Sequence, residues 1–358
     1  MAKLPSDRLV THGLRPLARQ IVSRPGIPNN ASSQVGITNL KYVGSYNWLN
    51  DNSGPTIVIQ GKMQHMPLLP LIRAVELLSN QKEFVVPGHT REDVNWRAVD
   101  FITDRSNLRK LLRWIDGSNA GRVLRIDAEL AGDGTVLLNR WERRTREYGQ
   151  GSYGFNLEKA TTKEVAGCEG ASSHHRIVKY DLGGLAMVVR CEVDAFIPCT
   201  QTGLNSVNNA SHASNTREMK KYANFTESGG LTIRYGGLVV PHSSLIELKS
   251  SAKIKWPETY PQMWLSQTPW LYKASHNDGQ FHTLNKTALE SPELAEIAEK
   301  SKVRFKRLRD ALRTIKDIVV NAGLQGRLSF VLERGELKVY DRESKKSCLP
   351  SDTMALFN

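Results

Sequence analysis

The order of apolar and polar positions predicts an α/β (α+β) chain, with a mixed, partly antiparallel central sheet flanked by helices. Short apolar or alternating runs mark strands at 40–49, 56–60, 99–103, 187–197 and 244–249, since successive strand residues face opposite sides. Residues 123–130 and 135–141 flank Gly132-Asp133-Gly134 and read as a hairpin. Helical spacing is found at 70–78, where Pro70 takes an early position that tolerates it, and at 107–115, with Ser106 available as N-cap. A further helix is read over 154–162. Near the end, Val303, Leu308, Leu312, Ile315 and Val319 trace one face of a basic helix closed by Gly323. Residues 328–332 and 336–340 then alternate around Arg334-Gly335 as a second hairpin. The pattern thins in two places. Residues 1–34, rich in Pro, Asn, Ser and Arg, read as a flexible basic tail, and the polar stretch 200–230 reads as a mobile insertion, too long for an ordinary loop. Residues 35–358 form one domain on this reading, with 291–358 a C-terminal helix and hairpin extension.

Charges interrupt two of the predicted strands. Glu192 and Asp194 lie two apart in one apolar run, and Glu247 and Lys249 lie two apart in the other. Side chains two apart on a strand share a face, so each pair is expected to project together. Buried charge is costly unless compensated, so acids in apolar strands imply a cation. With Glu158 on the helix at 154–162, four hard oxygen donors lie within reach of one fold, and no Cys or His set matches them. That chemistry points to Mg²⁺ or Mn²⁺ rather than zinc. An isolated Glu-x-Asp or Glu-x-Lys is ordinarily a solvated edge or surface ion pair. It is the series of three that carries a catalytic reading.

Gly154-Phe155-Asn156-Leu157-Glu158, Glu192-Val193-Asp194 and Glu247-Leu248-Lys249 resemble, in order, the motifs of PD-(D/E)XK nucleases, and within that superfamily those of the decapping exonuclease (DXO) family of RNA 5′-end hydrolases. Asp104-Arg105-Ser106-Asn107-Leu108 resembles the first motif of that family, and Met263-Trp264-Leu265-Ser266-Gln267-Thr268 its tryptophan- and glutamine-bearing helix. The resemblance runs over 43–281. It implies a PD-(D/E)XK-like nuclease core and a divalent-metal-dependent phosphodiester hydrolase. Glu158, Glu192, Asp194, Glu247 and the carbonyl of Leu248 would hold a pair of Mg²⁺ or Mn²⁺ ions. Glu192, Asp194, Glu247 and Lys249 would carry the chemistry, Lys249 orienting the attacking water, while Arg105, Lys249 and Gln267 would contact substrate. The implied activities are removal of incomplete or NAD-type caps, pyrophosphate release from 5′-triphosphate RNA and 5′→3′ exonucleolysis, in RNA 5′-end quality control. The implied partners are RNA 5′ ends and a 5′→3′ exoribonuclease; the implied compartment is the nucleus, with the cytoplasm as alternative. Ser106 stands where relatives usually have Gly, and Asp104 where they often have Trp. Two other readings share these residues: a PD-(D/E)XK endonuclease acting on DNA, and a catalytically inactive RNA-binding scaffold for a 5′→3′ exoribonuclease.

Composition narrows the partners. A formal charge of +13 over 358 residues, with a pI near 9.6, favours polyanions. Arg105, Arg109, Lys110 and Arg113 are the basic cluster beside a proposed catalytic motif. Cys168, Cys191, Cys199 and Cys348 have spacings that suit neither a zinc site nor a disulfide framework, which suggests a reducing compartment. No apolar run approaches the length of a membrane span, so no membrane partner is expected. No P-loop pattern occurs. His174-His175 reads as part of a solvated Ser-rich loop, and Trp264, Trp270 and Tyr272 are candidates either for stacking bases or for the core.

Overall fold

The computed structural model describes residues 8–27, 35–51, 54–57, 59–60, 67–80, 93–117, 123–143, 152–165, 168–198, 225–226, 231–233 and 239–358. Its strands are β1 (Leu14–Val22), β2 (Ile37–Asp51), β3 (Gly54–Ile57), β4 (Ile59–Gln60), β5 (Phe101–Asp104), β6 (Leu124–Ala131), β7 (Thr135–Arg140), β8 (Ala171–Leu182), β9 (Ala186–Val193), β10 (Ala195–Phe196), β11 (Phe225–Thr226), β12 (Thr232–Ile233), β13 (Leu245–Ser250), β14 (Trp270–Asn277), β15 (Gln280–Ala288), β16 (Arg327–Glu333) and β17 (Glu336–Arg342). The helices are α1 (Leu69–Asn80), α2 (Arg105–Ile115), α3 (Tyr153–Thr161), α4 (Trp256–Ser266), α5 (Ala295–Ala322) and α6 (Ser351–Met354).

Among the described residues, thirteen strands form one sheet in the order β1-β17-β16-β6-β7-β5-β9-β8-β2-β3-β4-β12-β11, and four form a second, β10-β13-β14-β15. The large sheet is antiparallel except at β5, which runs parallel to both β7 and β9. Alternation along the central strands decides the layering. Met187 and Val189 of β9 enter a core shared with α2, α4 and α5. Val188, between them, enters a second core with α1 on the opposite face. Strands covered on both faces read as continuous apolar runs, which is why β9 was visible in the sequence.

Five expectations change. The tail at 1–34 is not a free arm along its length: β1 pairs antiparallel with β17, with every side chain from Arg15 to Ile21 exposed. Main-chain hydrogen bonds hold this edge strand, so it left no apolar pattern to read. The segment at 291–358 is not an appendage, because β16 lies between β17 and β6, and its Phe330 and Val331 are fully buried. Along α5 the buried face runs through Phe305, Leu308, Leu312, Ile315 and Val319, while Val303 is exposed. Helix α2 starts at Arg105 with Asp104 as N-cap, so Ser106 lies inside the helix rather than capping it. His174 and His175 belong to β8 rather than to a loop: His174 Nδ1 lies 2.9 Å from Asn47 Oδ1, and the His175 ring packs on Tyr46. The insertion read at 200–230 lies outside the described residues except for Phe225 and Thr226.

The C-terminal segment is locked in by charge as well as by strand pairing. Glu129 of β6 is fully buried; its Oε1 accepts from Ser347 Oγ at 2.7 Å and from the Cys348 amide at 3.0 Å, and its Oε2 lies 2.9 Å from Arg327 Nε. Removing one partner of a buried pair leaves an uncompensated charge and costs about 3–5 kcal/mol. Arg327→Met is expected to lower urea-denaturation stability by that amount, and Glu129→Gln added to it should restore part of the loss. A single variant with an unchanged midpoint would detach this pair from the fold.

Candidate active site

The site forms where the two sheets part. The run 187–197 was expected to be one strand, but β9 ends at Val193 in the large sheet and β10 begins at Ala195 in the small one. Asp194 is the residue at the crossing. It therefore does not continue the face of Glu192, which stays on β9 opposite His175 and is exposed. Asp194 turns instead to β13, where its Oδ2 accepts from the Leu248 amide at 2.7 Å. Among the described residues β10 pairs with β13 only at Leu245 and Ile246, and no strand pairs with this edge of β13 beyond that point. A strand residue's N–H and C=O point to one edge, so the Leu248 carbonyl faces the same gap.

The first turn of α2 is held beside this gap by a buried ion pair. Arg190 of β9 binds Asp104 through two hydrogen bonds of 2.5 and 2.9 Å, and also donates to Tyr46 Oη at 2.9 Å and to the Pro67 carbonyl at 2.7 Å. Asp104 is thus spent on Arg190 and makes no side-chain cap for α2. Arg105 follows at once, 7% exposed, and donates to Glu247 Oε2 at 3.3 Å and to Ser266 Oγ at 3.0 Å. Glu247 is only 2% exposed; its Oε1 accepts from Lys249 Nζ and from Gln262 Nε2. Ser266 in turn donates to the Gln262 carbonyl at 2.9 Å and shares a hydrogen bond with Thr268. One carboxylate therefore gathers groups from α2, β13 and α4.

Burial alone would push Glu247 up, but Arg105, Lys249 and Gln262 overcome it and hold the carboxyl below its ordinary range. Asp194 is raised well above its ordinary value by burial and then by the charge of Glu247. The pair thus splits: Glu247 keeps its charge and Asp194 gives way. Glu158, on α3, is raised by burial and by Glu192, with Lys249 opposing. Burial works against the charge of Arg105, yet Glu247 and the other acids leave its pKa raised. Arg109, one turn on, is lowered to about 10 by burial and by Arg105 and Arg113. Lys110, of the same basic cluster, is paired with Glu142 at 3.0 Å.

Glu158 lies in electrostatic reach of Glu192, Glu247 and Lys249, and Asp194 in reach of Glu158, Glu247 and Lys249. Among the described residues no three His, Cys, Asp or Glu side chains stand close enough to hold a metal ion as they are. The donor chemistry fits a hard divalent cation: oxygens alone, with one carboxyl raised by burial and by the charge of Glu247. Gln267 is placed differently. It caps α4 in the left-handed region at φ 53°, and its amide donates to the Trp264 carbonyl at 2.6 Å. Gln262, not Gln267, reaches Glu247. The sequence held a signal for Gln262 and Ser266, polar residues four apart on one helix face. Trp264 stacks on Phe305 at 3.6 Å and belongs to the core.

A sequence profile for a family described as a domain of unknown function (DUF8563) matches residues 62–357. The chain belongs to this family. No curated protein matches it in sequence. Among solved structures it is similar to Rai1 of Scheffersomyces stipitis, at 12% identity and a TM-score of 0.56 over 99% of both chains. It is also similar to Candida albicans Rai1 in complex with pU5-Mn²⁺, at 9% identity and a TM-score of 0.55, covering 94% of this chain and 99% of that one. S. pombe Rai1 in complex with 3′-FADP aligns at 13% identity and a TM-score of 0.54, over 88% of this chain and 96% of that one. The chain has the mixed, helix-flanked fold of the DXO family, as the motifs implied. The coverage takes in α5 and the β16–β17 hairpin, which the motif resemblance did not reach. Among the described residues no helix is long and apolar enough to cross a membrane.

The split titration has a sign. A carboxyl raised in the folded state stabilises at low pH, and that contribution is lost as pH rises through the folded value; Glu247, held low, stabilises above the ordinary carboxylate range and loses that as pH falls. Asp194→Asn removes only the first effect. The variant's stability relative to the native protein is therefore expected to improve as pH rises above the ordinary aspartate range, followed by urea titration without divalent ions. Mn²⁺ should raise the melting temperature of the native protein more than that of the variant. A difference that ignores pH would remove the crowded-charge description of Asp194.

Proposed function

We propose that this chain is a divalent-metal-dependent hydrolase acting on RNA 5′ ends. The observation that carries the reading is the convergence of Arg105, Lys249 and Gln262 on Glu247 at the parting of the two sheets, with Asp194 beside it. Glu158, Glu192, Asp194 and Glu247, with the Leu248 carbonyl, would hold Mg²⁺ or Mn²⁺. Such an ion offsets charge on the attacking and leaving oxygens of a phosphodiester. The chain's own groups do the rest. Gln262 fixes the orientation of the Glu247 carboxylate. Lys249, 31% exposed beside it, holds the attacking water by hydrogen bonding and offsets charge in the transition state. Arg105, tethered through one guanidinium nitrogen to Ser266 and Glu247, keeps other N–H groups for a phosphate oxygen. The net charge of +13 suits an RNA ligand, and a Rai1 of this fold binds pU5 with Mn²⁺.

The test is incubation with RNAs bearing triphosphate, monophosphate, hydroxyl, unmethylated-cap, methylated-cap and NAD ends, and with matched DNA, in Mg²⁺ or Mn²⁺. Release of intact cap structures, NAD or pyrophosphate, identified by mass, is expected, with the DNA spared. Cleavage of none of them would overturn the reading. Lys249→Met keeps the apolar stem and removes the charge; cleavage should fall about a hundredfold or more with the melting temperature retained. Near-normal turnover with a large loss of thermal stability would make Lys249 a structural counter-ion.

A further inference from the structure

α2 and α4 run side by side in opposite directions. At one end Arg105 of α2 donates to Ser266 of α4, beside Glu247. At the other, Arg304 of α5 ties the two helices together. Its Nη1 donates to the Pro257 carbonyl at 3.1 Å, at the start of α4, and its Nε and Nη2 grip Asp116, the C-cap of α2, at 2.5–3.1 Å. Beside this brace the three helices enclose a cavity of about 770 Å³, a volume in the range of small-ligand pockets. None of the residues assigned to metal, water or the scissile phosphate lines it.

One stripe of α2 charges the cavity wall. Arg105, Arg109 and Arg113 are four apart and share a face, which places Arg113 about 12 Å along the helix from Arg105. Arg109 and Arg113 line the cavity, and Lys300 joins them from α5, where it is paired with Glu296. Two acids share the lining. Asp116 is taken up by Arg304, which leaves Glu258, one turn before Gln262 on α4, against three cations. Arg109 is the member without a tie: among the described residues its half-buried guanidinium has no hydrogen bond or ion pair, and Arg105 and Arg113 flank it with like charge. A cation held there gains from an anion. Leu112, Trp256 and Ile297 supply an apolar side. Guanidinium forks match phosphate oxygens, a carboxylate accepts from sugar hydroxyls, and an aromatic wall takes a base.

We propose that the cavity between α2, α4 and α5 is a second, non-catalytic site that binds a nucleoside phosphate, with Arg109 and Arg113 on the phosphate, Glu258 on the sugar hydroxyls and Trp256 against the base. This goes beyond the hydrolase reading and stands whether or not the carboxylate site cleaves RNA. A free nucleotide and one nucleotide of an RNA strand offer the same groups to it.

The experiment titrates the full chain by calorimetry, without divalent ions, with ADP, adenosine and pyrophosphate. ADP should bind more tightly than either fragment. Arg109→Gln should weaken ADP about tenfold or more, as for loss of a hydrogen bond to a charged group, and Arg109→Lys by less. Trp256→Leu, which keeps apolar packing against the core, should bring ADP down to the affinity of pyrophosphate. Lys249→Met, at the carboxylate site, should leave ADP affinity unchanged. Because Arg109→Gln removes the middle of three like charges, its melting temperature should match or exceed the native value. Displacement of ADP by a 5′-phosphorylated RNA oligonucleotide, in the native protein and Lys249→Met alike, would assign the site to a nucleotide of the strand; ADP left in place would assign it to a free nucleotide. ADP binding lost in Lys249→Met but kept in Arg109→Gln would put the nucleotide at the carboxylate site and overturn the inference. No ADP binding by a native protein that cleaves RNA would overturn it too, with the hydrolase reading intact. Early melting of Arg109→Gln with native ADP affinity would make Arg109 a structural cation and overturn it as well. ADP bound through Arg109 by a protein that cleaves no RNA end would overturn the hydrolase reading alone.

Discussion

A carboxylate that is 2% exposed cannot carry its charge alone, and Glu247 draws the site together around that requirement. Its compensation comes from three directions: a guanidinium at the start of α2, an ammonium two residues along its own strand, and an amide from α4. Together they let the charge survive burial, with Arg105 and Gln262 as its buried partners and Lys249 at the half-exposed side. The positions of α2 and α4 relative to β13 are therefore tied to the protonation state of one side chain. Burial and then the neighbouring carboxylates raise Asp194 and Glu158, a crowding of acids that a cation would relieve.

A second buried pair makes the first one possible. Arg190 and Asp104 are neighbours across the parallel β5–β9 ladder, and their two-pronged contact anchors the end of β5 from which Arg105 springs. Parallel strands leave their helices at the same end of a sheet, so groups at strand ends and first helical turns meet there. The chain exploits that edge twice: at Asp104-Arg105, where β5 becomes α2, and at Val193-Asp194-Ala195, where the chain leaves one sheet for the other. A mixed sheet with a single parallel element is enough to build this meeting point.

The likeness to Rai1 structures at 9–13% identity shows how little sequence such an architecture demands. What the fold needs is apolar residues on both faces of the central strands, which many substitutions satisfy.

The sequence by itself determined the central strands, because burial on both faces leaves unbroken apolar runs, and it marked the acids that interrupt them. It also determined that Glu247 and Lys249 share a face, since they are two apart on a strand that stays intact. Several features were decided only in three dimensions. Asp194 faces β13 rather than following Glu192, because the strand breaks between sheets, and no local pattern distinguishes a break from a continuation. β1 is held by main-chain hydrogen bonds with outward side chains, so it carries no periodic signal. His174 and His175 read as polar loop residues, but the neighbours that bury them come from Asn47 and Tyr46, far away in the chain. Gln262 reaches Glu247 because the helix turns its 262 and 266 face toward Arg105, and the helix ends at Gln267 in a left-handed cap. Local spacing sets which side chains travel together; only packing sets what they meet, because each partner of Glu247 except Lys249 comes from a distant segment of chain.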